Sequence, residues 1–265
     1  SNVTNMMEMF AYCYELETLD VSSFNTSNVT NMSTMFRALE KLPTLDVSNF
    51  DTSKVESMSW MFSRCNFESL DISNFDTSNL EDMYNMFVNT EDLNTLVLGT
   101  DWNFLPNNGL IYSWKRDGDT TRYTAVELTN VYNGATMAGT YRAINTLTIT
   151  EQVKGTLADV NKEFTFTINV IKNGNGINGN QSYTGTHSGN LRFTNGVATF
   201  TLKHGENIVL TLNNGVNYTI TQNSDGYTLS KSNDTGTLSS DKTANFIDTI
   251  NGTTPSGSGL KLKQG

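Results

Sequence analysis

The chain has few of the residues that carry out chemistry. Its 265 residues include two cysteines, two histidines and three prolines. His187, in GTHSG, and His204, in LKHGE, have no second His or Cys at ligand spacing, so no metal site is expected. Both read as exposed turn residues. Phosphate-loop and nucleotide-binding fingerprints are absent, as are nucleophile motifs and paired-acid spacings. No catalytic residue is nominated, no enzyme is expected, and no cofactor is implied. No apolar run reaches the roughly 20 residues that a membrane-spanning helix needs, so membrane insertion is not expected. Basic residues are scarce where acids are plentiful: residues 1–100 hold fifteen Asp and Glu against four Lys and Arg, in a chain of net charge −10. Such a field repels phosphate, which argues against nucleic acid and anionic lipid as partners.

What the chain does have is a repeated phrase. LETLDVSSFNTSNVTNMSTMF, LPTLDVSNFDTSKVESMSWMF and FESLDISNFDTSNLEDMYNMF follow one another, with copies starting at Ser1, Ser27, Ser53 and Ser78. The apolar columns are Met6, Met32, Met58 and Met83, then Met9, Met35, Met61 and Met86, then Phe10, Phe36, Phe62 and Phe87. A period of this size predicts a solenoid in which each copy buries its apolar face only against its neighbours. The methionines read as core, because the flexible thioether fills irregular gaps. Leu42-x-x-Leu45-x-Val47-x-x-Phe50 has leucine-rich-repeat spacing, with a short strand over 45–47. Ser53-x-x-Glu56 and Ser78-x-x-Glu81 read as capping boxes that start a short helix in each copy. Cys13 and Cys65 share a column two copies apart. At ~4.8 Å per layer they lie roughly 10 Å apart, beyond disulfide reach, and both read as small buried hydrophobes.

Alternation along each short strand sends Thr18, Thr44 and Ser69 outward, then Asp20, Asp46 and Asp71, then Ser22, Ser48 and Ser73. Like charges in register are mildly destabilising in a sheet. The Asp and Ser ladder is therefore a candidate acidic face for a basic protein surface or a cation. The plainer reading is that duplication copied a tolerated solvent-facing residue. Trp60 stands in a column with Glu8, Thr34 and Asn85, and Tyr84 is one column away. The pair reads either as an exposed anchor for a partner or as packing beneath a neighbouring loop.

The phrase LDxSxFxTSxVxxMxxMF resembles the BspA-like surface leucine-rich-repeat family of bacteria. The segment YTAVELTNVYNGATMAGTYR resembles that family's C-terminal cap. This resemblance implies a secreted or wall-anchored protein on the bacterial surface, binding a host extracellular-matrix or cell-surface protein. Because the chain opens in mid-repeat, further repeats are expected before Ser1.

Beyond Tyr141 the period changes to two. Leu147, Ile149 and Val153 alternate, as do Phe164, Phe166, Ile168 and Val170. Ala198–Leu202, Tyr218–Ile220 and Ala244–Phe246 continue in strand fashion, and Asn195-Gly196 signals a hairpin. This pattern predicts an all-β immunoglobulin-like sandwich. KNGNGINGNQ, residues 172–181, reads as a flexible connection. KEFTFTINV, FTNGVATFTLKHGE, YTITQ and NFIDT resemble the pilin-type isopeptide-linkage domain of Gram-positive surface proteins. In that family a first-strand Lys bonds to a last-strand Asn with help from an acid. The resemblance places Glu151, Gln222 and Asp248 at those three positions. A carboxylate at 151 cannot act as an amine nucleophile, so no isopeptide bond is expected. Either the three are hydrogen-bonded replacements, or the two carboxyls share a proton or bind a cation.

The expected organisation is leucine-rich repeats over 1–100, a solenoid cap over 101–145, a β-sandwich over 146–250 and a flexible linker over 251–265. The expected protein is a monomeric surface adhesin, with the solenoid binding a partner and the sandwich as stalk. A structural spacer with no ligand is the alternative.

Overall fold

In a computed structural model, residues 2–252 are described, and they divide into two compact units. Of the described residues, one unit holds 2–145 with 213–215 and the other 146–212 with 216–252. The expected linker, apart from Asn251 and Gly252, lies outside the described residues. The chain is mostly β.

In the first unit the four copies stack as parallel coils. Position 5 of each copy bridges to the next: Asn5 to Asn31, Asn31 to Ser57, and Ser57 to Asp82. Regular strands form only in the later coils, as β1 (Ser69–Ile72) beside β2 (Thr95–Leu98), paired in parallel with Leu70 opposite Leu96. The expected helix does not form in any copy. The Met and Phe columns instead lie on successive tight turns, with left-handed residues at Glu8, Thr34, Trp60 and Asn85 and again at Tyr12, Ala38, Arg64 and Asn89. These turns export alternate N–H groups to the next coil. Met32, Thr34, Phe36 and Ala38 donate to the carbonyls of Ser57, Ser59, Met61 and Ser63, and Met58, Trp60, Phe62 and Arg64 donate to those of Asp82, Tyr84, Met86 and Val88. The presumed capping boxes are aspartate turns: the Ser53 N–H donates to Asp51 Oδ1 at 3.1 Å, and the Ser78 N–H to Asp76 Oδ1 at 2.8 Å.

Inside the stack the methionine columns are core, except that Met9, in the first coil, is exposed. Met32, Met35, Met58, Met61, Met83 and Met86 are all buried. The phenylalanines stack face to face, Phe10 on Phe36 at 5.9 Å between ring centroids and Phe36 on Phe62 at 6.0 Å. Phe87 continues the line, which then passes to Trp102, Phe104, Tyr132 and Tyr141. Cys65 is buried as expected, whereas Cys13, in the first coil, is exposed; both are free. Polar letters of the phrase tie coil to coil. Asn49 Nδ2 donates to the Val21 and Phe24 carbonyls, and Asn74 Nδ2 to those of Val47 and Phe50. Buried Thr52 donates to the Asp76 carbonyl at 2.9 Å and accepts from the Asp76 N–H at 2.8 Å. Gly99 is required by close approach, since a Cβ there would lie 1.8 Å from the Ser73 carbonyl oxygen.

After the coils come β3 (Ser113–Arg116), β4 (Arg122–Thr124), α1 (Ala125–Val131) and α2 (Gly134–Met137). A genuine capping box starts α1: Thr124 and Glu127 bond reciprocally to each other's N–H. The next strand, β5 (Gly139–Lys154), gives its first residues to this unit, where Leu96 faces Tyr141 in an antiparallel register.

The second unit continues with β6 (Phe164–Lys172), β7 (Asn175–Gly176), β8 (Gly179–Gly185), β9 (Gly189–Phe193), β10 (Val197–Leu202) and β11 (Asn207–Asn213). It ends with β12 (Val216–Asn223), β13 (Thr228–Ser232), β14 (Thr235–Leu238) and β15 (Lys242–Thr249). One sheet runs β10–β6–β12–β14, with β7 on β6; the other runs β13–β15–β5–β11–β8–β9. Their inward residues, among them Ile149, Phe166, Ile168, Leu210, Ile220 and Phe246, share one core. β15 lies parallel to β5, with Phe246 opposite Glu151. Residues 172–181 are not a free connection, because β7 and the start of β8 lie within them. Asn195-Gly196 makes the expected turn with both residues at positive φ, but only Thr194 and Val197 bridge across it before the chain changes sheet.

The Thr52 bracket yields a direct test. Thr52→Val keeps the side-chain shape but leaves the Asp76 N–H and carbonyl without partners, which costs about 1–3 kcal/mol. All three tryptophans, Trp60, Trp102 and Trp114, lie in the repeat unit, so the loss should appear in urea unfolding followed by tryptophan fluorescence.

Candidate functional site

The outward ladder is where the alternation places it. Asp20, Asp46, Asp71, Ser22, Ser48 and Ser73 are all exposed. The structure adds a local role for the aspartates. Each closes a turn two residues on, the N–H of Ser22, Ser48 and Ser73 donating to Oδ1 of Asp20, Asp46 and Asp71 at 2.9, 3.0 and 3.0 Å. Hydrogen bonding by the Ser22 and Ser48 side chains, and then by their N–H groups, holds Asp20 and Asp46 below the usual carboxylate range. The three acids therefore have a fold-level reason to recur that strand alternation alone did not show. Among the described residues no group of three or more His, Cys, Asp or Glu is placed to hold a metal ion.

Trp60 is half-buried and Tyr84 exposed, and their rings meet edge to face at 5.8 Å. Arg37, which sequence reading passed over, joins them. Its guanidinium carbon lies 4.5 Å from the Trp60 ring centroid and 5.3 Å from that of Tyr12. The order Tyr12, Arg37, Trp60, Tyr84 crosses four coils. The only sequence signal was that each of these residues stands in a column that the repeat does not copy.

In the second unit, inward alternation brings Glu151 from β5, Gln222 from β12 and Asp248 from β15 into one cluster. Gln222 Nε2 donates to Glu151 Oε2 at 2.9 Å and to Asp248 Oδ2 at 2.5 Å. Glu151 is 1% exposed and Asp248 0%. The remaining oxygens, Glu151 Oε1, Gln222 Oε1 and Asp248 Oδ1, are buried without a protein donor. Two ionised carboxylates here would be poorly solvated and would repel each other. Burial, and then the neighbouring Asp248 charge, push Glu151 up to about 8. Asp248 is also raised, chiefly by burial, against the hydrogen bond from Gln222 and the more distant charge of Lys162. A proton on Glu151 turns an orphaned acceptor into a donor towards Asp248. The geometry is that of two buried acids joined through one amide, both pushed above the usual carboxylate range chiefly by burial.

His187 Nε2 lies 2.9 Å from Glu206, and His204 Nδ1 accepts the Val153 N–H at 2.8 Å. Both histidines are exposed.

Residues 1–104 match a family described as Mycoplasma protein of unknown function, DUF285, and residues 145–252 one described as a domain of unknown function, DUF7601. The pilus tip adhesin Cpa of Streptococcus pyogenes is 45% identical over 78 residues, which is 29% of this chain and 11% of that protein. The match therefore spans about a ninth of that relative's length. A solved structure of the pilus-presented adhesin Cpa aligns at 29% identity and a TM-score of 0.37, over 41% of this chain and 28% of that one. The major pilin of Streptococcus pyogenes aligns at 23% identity and a TM-score of 0.33, over 40% of this chain and 48% of that one.

The raised Glu151 makes sandwich stability depend on pH. Its folded value of about 8 lies above the ordinary 4.5, so the folded state holds the extra proton between them. Its contribution is fully present below pH 4.5 and is lost as pH rises through 8, with a slope of up to about 1.4 kcal/mol per pH unit. Urea midpoints of the sandwich, followed by circular dichroism, should fall from pH 5 to pH 8. In Glu151→Gln the fall should be largely abolished.

Proposed function

We propose that this chain is the binding and stalk portion of a bacterial cell-surface adhesin of the pilus-associated kind. The 45% identity to a pilus tip adhesin carries the reading. On it, the repeat unit is a BspA-like leucine-rich solenoid that engages a host matrix or cell-surface protein, and residues 101–145 are its cap. The sandwich over 146–250 is a pilin-like stalk module. The protein is monomeric and sits outside the cell, wall-anchored or secreted; it performs no catalysis and needs no cofactor.

Glu151, Gln222 and Asp248 support the stalk reading in a particular form. They occupy the positions at which the pilin-type resemblance places a covalent cross-link, and they meet in space. A Glu, a Gln and an Asp offer no amine there, so in place of a covalent bond the Gln222 amide of β12 hydrogen-bonds to Glu151 of β5 and Asp248 of β15. The intact mass should equal that of the linear chain, with no water lost. A chain lighter by one water, with a cross-linked peptide containing Asp248, would overturn this reading.

A rival reading, a structural spacer with no ligand, is favoured by one observation: the three ladder aspartates already serve to close turns. Binding to arrayed host matrix proteins and glycans separates the two. The informative control changes Asp20, Asp46 and Asp71 together to Asn, which keeps the turn-closing oxygen and removes the charge. Salt-sensitive binding lost in the triple variant would place the site on the acidic face. Binding that survives points to the Trp60 and Tyr84 side or to the sandwich. An array with no hit favours the spacer.

A further inference from the structure

Repetition offers an internal reference. A residue copied in every coil is explained by the coil; a residue that breaks the copy needs its own reason. Tyr12, Arg37, Trp60 and Tyr84 stand in columns that the repeat does not copy. Their columns otherwise hold Ala38, Arg64 and Asn89; Ala11, Ser63 and Val88; Glu8, Thr34 and Asn85; and Met7, Ser33 and Ser59. The four come from different positions in four coils, yet they converge into one line of contacts.

Two members of that line sit where a large side chain is disfavoured. Tyr12 and Trp60 have φ of 63° and 59°, in the left-handed region. The fourth coil fills the same two positions with Asn89 and Asn85, a residue type suited to that region. The remaining coils hold Glu8, Thr34, Ala38 and Arg64 at these positions, so left-handed backbone is a property of the coil, and the rings add bulk to it.

The cation between them is uncommitted. The repeats hold four basic residues among fifteen acids. Lys41 pairs with Glu15, Arg64 pairs with Glu40, and Lys54 donates to Asn28. Among the described residues the Arg37 guanidinium donates no hydrogen bond and meets no carboxylate, and its Nε is buried without a partner. Stacking covers the faces of a guanidinium and leaves its in-plane N–H groups for an anion.

We propose that Tyr12, Arg37, Trp60 and Tyr84 form a binding site for a sugar bearing a single carboxylate at the end of an otherwise neutral glycan. The carboxylate pairs with Arg37. The ring edges of Trp60 and Tyr84 and the tyrosine hydroxyls meet the apolar patches and hydroxyls of the sugar. Charge selects this ligand over its rivals: the net −11 of residues 1–100 repels a polyanionic glycan or an acidic protein face. It tolerates one isolated carboxylate on a neutral frame. The inference rests on the adhesin reading and supplies its ligand class.

The test titrates the full chain with sialyllactose, lactose and a short Asp-rich peptide, by calorimetry and by tryptophan fluorescence. Saturable, salt-sensitive binding of sialyllactose alone is expected. Arg37→Gln should weaken it by about tenfold or more, as expected for loss of a charge-assisted pair. Trp60→Asn should also weaken it, yet unfold at an equal or higher urea concentration, because Asn suits the left-handed position. Equal binding of lactose, preference for the peptide, no binding of sialyllactose, or full affinity in both variants would overturn the proposal. Cell attachment by the chain that survives sialidase treatment and Arg37→Gln would overturn it too, while leaving the adhesin reading standing. Failure to attach to any cell or matrix would remove the adhesin reading itself.

Discussion

The repeat unit depends on one constraint: a coil of this sequence cannot satisfy its own backbone. A helix would close its hydrogen bonds internally. The turns over the Met and Phe columns instead send alternate N–H groups, such as those of Met32, Thr34, Phe36 and Ala38, to the following coil. Stacking is therefore obligatory, and the rest follows from keeping the stack in register. Phenylalanine over phenylalanine sets a common ring spacing, Asn49 and Asn74 reach back, and Thr52 reaches forward. The phrase SNFDTS can be read letter by letter in these terms. Asn ties to the coil before, Phe fills the core, Asp closes a turn onto the following Ser, and Thr brackets the coil after.

Much of this was legible in the sequence, but the turns were not. The apolar columns, the outward ladder and the buried methionines all follow from period and alternation. The helix was misread because Ser-x-x-Glu has the letters of a capping box, while the bond that forms runs from Ser53 back to Asp51. Nor do the left-handed positions carry a usual mark, since Glu8, Thr34 and Trp60 occupy one such column and no glycine does. The signal that could have found them was Asn85 and Asn89 in the fourth copy. Cys13 shows the limit of column arguments: it shares a column with Cys65, but burial depends on neighbouring coils as well as on the letter.

In the sandwich, strand phase was enough to predict that Glu151, Gln222 and Asp248 face inward. It could not show that one amide nitrogen would reach both carboxyls, nor that three oxygens would be left without protein donors. Those facts come from the depth of the core around Phe166 and Phe246, a property of two sheets together. Arg37 was missed for a related reason. Its neighbours in space come from other columns, so no single column points to it.

The parallel pairing of β15 with β5 bears on tensile load. Eight residue pairs run in register from Lys242 opposite Leu147 to Thr249 opposite Lys154. Force drawn through the module along the chain pulls the start of β5 and the end of β15 in opposite directions, sliding one strand along the other. All the bonds between them then bear load together and must break nearly at once, instead of opening one at a time like a zip. Glu151 and Asp248 lie on these two strands, and Gln222 of the facing sheet bonds to both across the core.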